Sequence, residues 1–148
     1  MQTNKRDSLQ EIEARIGELQ KSHVSLQEEL KKLQNHVERN LDDHALRIID
    51  ILDMLDMIKL NMTLDDPANS NAQLIIKKTE KRLTDILRHS QVQEIIFKDG
   101  RIEAGKTRVL ETRQVSNEIP TGTIIEVCRK GYQRGDKTIR PADVITAA

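Results

Sequence analysis

From Leu9 onward apolar residues recur at alternating steps of three and four: Leu9, Ile12, Ile16 and Leu19, then Leu26, Leu30, Leu33 and Val37. That spacing is a coiled-coil seam of period 3.5. With Leu9 at heptad position a, the d positions are Ile12, Leu19, Leu26 and Leu33, and the a positions are Leu9, Ile16, His23, Leu30 and Val37. Leucine at most d positions suits a parallel pair. The next step, Val37 to Leu41, is again four, an insertion that locally unwinds a supercoil. Neither glycine nor proline occurs between Gly17 and Pro67. One helix can therefore run from about Ser8 to Leu64, about 85 Å at 1.5 Å per residue. A single narrow apolar stripe of this length has nothing else in the chain long enough to cover it, so burying it calls for a second copy. The e positions Glu13, Gln20, Gln27 and Gln34 and the g positions Ser8, Arg15, Ser22, Glu29 and His36 carry too little patterned charge to select a different partner. Self-pairing is the simplest arrangement.

Composition narrows the rest. Only 36% of the 148 residues are hydrophobic and 32% are charged, which rules out a large globular core. Lys+Arg and Asp+Glu both number 24, leaving no global positive field for nucleic acid or an anionic membrane. Phe97 and Tyr132 are the only aromatics, so stacking platforms for bases are lacking. Cys128 is the only cysteine, which excludes intrachain disulfides and multi-cysteine metal motifs and suits a reducing compartment. The polar stretch Met1 to Gln10 and the absence of any 18-residue apolar run predict no secretion signal or membrane span, hence a cytoplasmic protein.

Past Leu41 the apolar content widens to more than one helix face, through Leu46, Ile48, Ile49, Ile51, Leu52, Met54, Leu55, Met57, Ile58, Leu60, Met62 and Leu64. Such a stretch belongs in a bundle, with the methionines as core filler. The run Asp65-Asp-Pro-Ala-Asn-Ser-Asn71 breaks the helix, and Ser70 with Gln73 forms a capping-box signal for a second one. That second helix carries Ile75, Ile76, Thr79, Leu83, Ile86 and Leu87 on one side. Two such hairpins, one per chain, make a four-helix bundle. From Val92 helical period gives way to β-branched runs punctuated by glycine and proline. Strands are expected near Thr107–Val115, Thr123–Tyr132 and Lys137–Thr146, joined by Asn117-Glu-Ile-Pro-Thr-Gly122 and by a hairpin at Gln133-Arg-Gly-Asp136. The predicted class is α+β: coiled-coil helix over 1–44, helical hairpin over 45–91, small all-β domain over 92–148.

Gly100-Arg-Ile-Glu-Ala-Gly-Lys-Thr107 matches the phosphate-cradling pattern, which would make the chain a nucleotide-binding protein. The pattern needs a parallel sheet behind it and an acidic strand end to hold magnesium, and the 41 residues after Thr107 contain no apolar run ending in aspartate. Glu103 would also put a negative charge inside the cradle. His23 at a core position either meets its symmetry mate across a metal or marks register, and register marking is the simpler role. His36, His44 and His89 lack ligand spacing, and no metal site or cofactor is expected. Asp50, Asp53 and Asp56 recur every three residues and read as a solvated stripe. No Ser, His and Asp set suits nucleophilic catalysis, so an enzyme is not expected.

The run Thr121-Gly-Thr-Ile-Ile-Glu-Val-Cys-Arg-Lys-Gly-Tyr-Gln-Arg-Gly-Asp-Lys-Thr-Ile-Arg-Pro-Ala-Asp-Val-Ile-Thr146 resembles the signature of the GrpE family. The likeness rests on Gly122 before a β-branched strand, on Lys130-Gly131-Tyr132 at its end, and on Thr138-Ile-Arg-Pro-Ala142 with Val144 two further on. A looser similarity covers Ile48-Ile-Asp-Ile-Leu-Asp-Met-Leu-Asp56, and the order of long helix, short helix and β domain agrees. The resemblance implies a homodimeric nucleotide exchange factor for the nucleotide-binding domain of a DnaK-type chaperone. Dimer contacts would then include Leu52 and Leu55 of the bundle besides the seam. Partner contacts would fall on Cys128, Lys137, Arg140 and Thr146, with Lys137 standing where the family commonly presents an arginine. Gly122, Gly131, Tyr132 and Pro141 would be structural. The chain departs from the family pattern at Ile102 to Val109, at Met57 in place of an arginine, and at Gln91 in place of a glycine. Those departures motivate an alternative, a dimeric scaffold of the same fold without exchange activity.

Overall fold

The computed structural model describes residues 3–62, 67–114 and 119–148. The chain divides into two units, Met1–Asn40 and Leu41–Ala148. The first is helical, the opening part of α1 (Thr3–Asn61). A helix satisfies its own backbone hydrogen bonds but not its apolar stripe. Accordingly the eight seam aliphatics from Leu9 to Val37 each keep between 48% and 69% of their surface in the single chain, and His23 is exposed among them. The g-position Ser8 has its side chain outside the described residues.

In the second unit the rest of α1 has two faces. Ala45, Ile49 and Leu52, spaced by four and three, are buried against Leu87 of α2 (Pro67–His89), Val92 of β1 (Val92–Glu94) and Tyr132 of β4 (Tyr132–Arg134). Ile48, Leu83 and Ile139 close this core at its edges. Leu52, assigned to the dimer interface from the sequence, thus packs in the protomer's own core. Leu41, Ile51 and Ile58 lie exposed, Leu55 is half-buried, and Met54 and Met57 are exposed in the single chain. Lys59 near the end of α1 pairs with Glu80 of α2, which raises its pKa.

Helix α2 begins at Pro67, not at the predicted cap Ser70, which lies within the first turn. A proline fits a helix start because its missing N–H has no intrahelical acceptor there. The predicted break at Asp65 and Asp66, and Leu64 before it, lie outside the described residues. At the other end Gln91 adopts φ 59° while its amide donates to the Arg88 carbonyl at 2.9 Å. This is the left-handed residue that ends many helices, a position glycine occupies without steric cost. Gln91→Gly is therefore expected to stabilise the fold by about 0.5–1 kcal/mol, read as a raised midpoint in urea; an unchanged or lowered midpoint would contradict the strain.

Among the described residues six strands follow in two three-stranded sheets. One has the order β1-β4-β5, all antiparallel, with β5 at Lys137–Arg140. The other places β6 (Ala142–Ala147) between β2 (Thr107–Arg113), to which it is parallel, and β3 (Ile124–Arg129), to which it is antiparallel. Every residue of β6 is buried. The expected strand Thr123–Tyr132 is two strands interrupted at Lys130 and Gly131, and Lys137–Thr146 is two interrupted at Pro141. Proline has no N–H for a ladder, so the chain leaves one sheet at Pro141 and enters the other. The expected strand to Val115 ends at Arg113; Val115, with Asn117 and Glu118 of the predicted connection, lies outside the described residues. Strand β1 was not expected.

Candidate functional site

The hairpin of β4 and β5 turns through Gly135 and Asp136, with Arg134 opposite Lys137. Gly135 takes φ 55°, as the first central residue of a glycine-led hairpin turn must. The hairpin is braced from α1. Asp42 accepts hydrogen bonds from Arg134 and, at 2.5 Å, from the Lys137 ammonium, while Arg134 Nε donates to the Ser90 carbonyl at 3.1 Å. The Lys137 side chain nonetheless keeps 57% exposure.

The acidic triplet of α1 forms a second brace. Arg140 donates to both Asp53 oxygens, at 2.6 and 2.8 Å, and to the Lys130 carbonyl at 2.8 Å. Arg129 donates to Asp53 at 2.7 Å and to Asp50 at 3.2 Å, and Lys130 stands 3.5 Å from Asp56. Asp50, Asp53 and Asp56 are therefore more than a solvated stripe: although Asp50 stays exposed, the three are acceptors that tie α1 to Arg129, Lys130 and Arg140. Burial alone would raise the Asp53 carboxyl, but hydrogen bonds from Arg140 and Arg129, reinforced by their charges, hold it below its ordinary value. Beneath lies Tyr132, with the Arg140 guanidinium 5.6 Å from its ring centroid and its hydroxyl pushed up to about 12, chiefly by burial.

Of the four residues expected to meet a partner, two reach solvent. Cys128 is exposed on β3 and, with Met57, Leu60 and Val127, lines a groove of about 580 Å³. Lys137 is exposed on β5. Arg140, 9% exposed, and Thr146, 3% exposed, are buried in the single chain: the first donates to Asp53, and the second lies within the sheet, its hydroxyl facing that of Thr112 at 3.4 Å. Gly131 sits where a Cβ would fall 2.6 Å from the Ala142 backbone nitrogen. Gly122, at φ 81°, makes the turn into β3. Asp42, Arg134 and Arg129 escaped the sequence reading. The legible signal was that Arg134 and Lys137 flank a two-residue turn and so share a side of the hairpin.

Gly100 to Thr107 is not a phosphate cradle. The Lys106 and Thr107 amides both donate to the Glu103 carbonyl at 3.1 Å, the Thr107 hydroxyl donates to the same oxygen at 2.8 Å, and Lys106 Nζ lies 2.8 Å from Glu103. The lysine and threonine donors of the pattern are thus spent within the loop. The segment then enters strand β2 instead of the helix N-terminus on which such cradles depend. Among the described residues no three His, Cys, Asp or Glu side chains are grouped to hold a metal, and no helix is long and apolar enough to cross a membrane.

The site is thus an exposed lysine on a short hairpin that ion pairs hold from behind to a helix. The chain belongs to the GrpE family, a family of co-chaperones and nucleotide exchange factors: the GrpE family model matches residues 1–148. Similar proteins include Protein GrpE of Lactiplantibacillus plantarum, 29% identical over 102 residues, which are 66% of this chain and 50% of that protein. Protein GrpE of Enterococcus faecalis is 23% identical over 94% of this chain and 82% of its own length, and that of Pediococcus pentosaceus 24% identical over 95% and 76%. The chain thus spans half the length of the first relative and more of the other two.

Proposed function

We propose that the chain acts as a homodimeric exchange factor, binding the nucleotide-binding domain of a DnaK-type chaperone and promoting ADP release. The observation that carries this reading is the Lys137 ammonium, exposed within the segment that bears the family signature and seated on a hairpin that two ion-pair clusters hold to α1. A rigid support of this kind lets binding free energy distort the partner instead of the factor. Exchange then needs no bond-making group: the factor binds the partner's open, nucleotide-free form better than its closed form and shifts the population toward release. Linkage makes the effect reciprocal, so rebinding of nucleotide weakens the factor's hold and frees it for another round. The half-exposed seam of α1 supports pairing of two copies, since its eight aliphatics at period 3.5 each keep about half or more of their surface exposed.

Charge reversal at Lys137 tests the reading. Lys137→Glu is expected to lower factor-stimulated ADP release at least about tenfold, since a like charge facing a matched carboxylate costs several kcal/mol. The sedimentation mass should not change, because β5 lies off the helical seam. Stopped-flow release as fast as with the unaltered protein would overturn the assignment of Lys137. Capture of the chaperone without faster release would favour the scaffold alternative.

A further inference from the structure

We propose that Asp42 is a positioning residue for partner binding, fixing the Lys137 ammonium in place from α1; this rests on the exchange reading above. Arg134 and Lys137 are register partners on the two sides of the Gly135-Asp136 turn, and both donate to the one carboxylate, Arg134 to Oδ1 and Lys137 to Oδ2. Asp42 is therefore a clamp across the mouth of the turn, set 95 residues from Lys137 in sequence. Its side chain is 16% exposed and that of Arg134 17%, so the shared carboxylate is largely withdrawn from water while the lysine is not. A free lysine on four methylenes samples many rotamers, and a partner that engages it must order them. With one of its three N–H donors already on Asp42, the ammonium is held in one place and keeps two donors for an acidic group of the partner. Arg134, anchored also on the Ser90 carbonyl, keeps the carboxylate itself from turning.

The test is a double-mutant cycle in which release of fluorescent ADP from a DnaK-type chaperone is measured against factor concentration for the full chain, Asp42→Asn, Lys137→Met and the double variant. Asp42→Asn is expected to raise the half-saturating concentration about fivefold when Lys137 is present and less than twofold in the Lys137→Met background. Asp42→Glu, which keeps the charge, should recover part of the loss, and thermal unfolding of each variant separates lost folding from lost positioning. An equal rise in both backgrounds, or none when Lys137 is present, would overturn the role of Asp42 and leave the exchange reading standing. An unaltered protein that fails to speed release would overturn the exchange reading and this role with it.

Discussion

Asp53→Ala is expected to cost about 3 kcal/mol of folding stability, because it leaves the Arg140 guanidinium in a largely dry position without its two-pronged acceptor. Removing one partner of a buried ion pair typically costs about 3–5 kcal/mol. The lower end applies here, since the Asp53 side chain keeps 24% exposure and Asp50 stands 3.7 Å from Arg140 as a substitute. The change also leaves Arg129 with Asp50 alone and removes the charge holding the Arg140 guanidinium near Tyr132, so the loosening spreads across β3, β4 and β5. Acid titration gives the same residue a second signature. The Asp53 carboxyl is held below its ordinary 3.8 in the folded chain, so its stabilisation is complete above the unfolded value and is lost as the pH falls through the lower, folded one. Urea unfolding should therefore show the unaltered protein losing stability below about pH 4, with Asp53→Ala losing less over that window. Equal stability of the two proteins at pH 7 would show that the pair is dispensable.

Gly131→Val is expected to destabilise by about 3 kcal/mol or more, at or beyond the upper end for overpacking. A Cβ there would lie 2.6 Å from the Ala142 nitrogen and 3.0 Å from both Ala142 Cβ and Ile95 Cδ1. The nearest of these atoms is backbone, so relief requires moving β6 or the strand start at Tyr132, not a rotamer change. The Gly131 carbonyl accepts from the Ile95 amide at 2.9 Å, which fixes the approach from the other direction. A variant that unfolds at the urea concentration of the parent would show that this crossing gives way without cost.

Both sites show where the sequence was readable and where it was not. The α1 seam was legible because period 3.5 is a local property of Leu9 to Val37, and the hairpin turn because glycine and aspartate between polar and β-branched residues mark it at short range. The interruptions at Gly131 and Pro141 were written in the residues, but reading them required knowing that Ala142 presses on Gly131 and that two sheets meet there. Aspartates every three residues on a helix look solvated until cations 76 and 87 positions away arrive opposite them. The same distance in sequence hid the burial of Arg140 against Asp53 and of Thr146 within the sheet. Gly100 to Thr107 failed in the opposite sense: its letters fit a phosphate loop, and its backbone donors close on Glu103.

The most direct measurement is ADP release from a DnaK-type chaperone with the factor present at well below one equivalent. All of the bound ADP is expected to leave faster, because each factor molecule lets go when nucleotide rebinds and serves again. Release at the unassisted rate, or acceleration limited to the fraction of chaperone matched by factor, would contradict it.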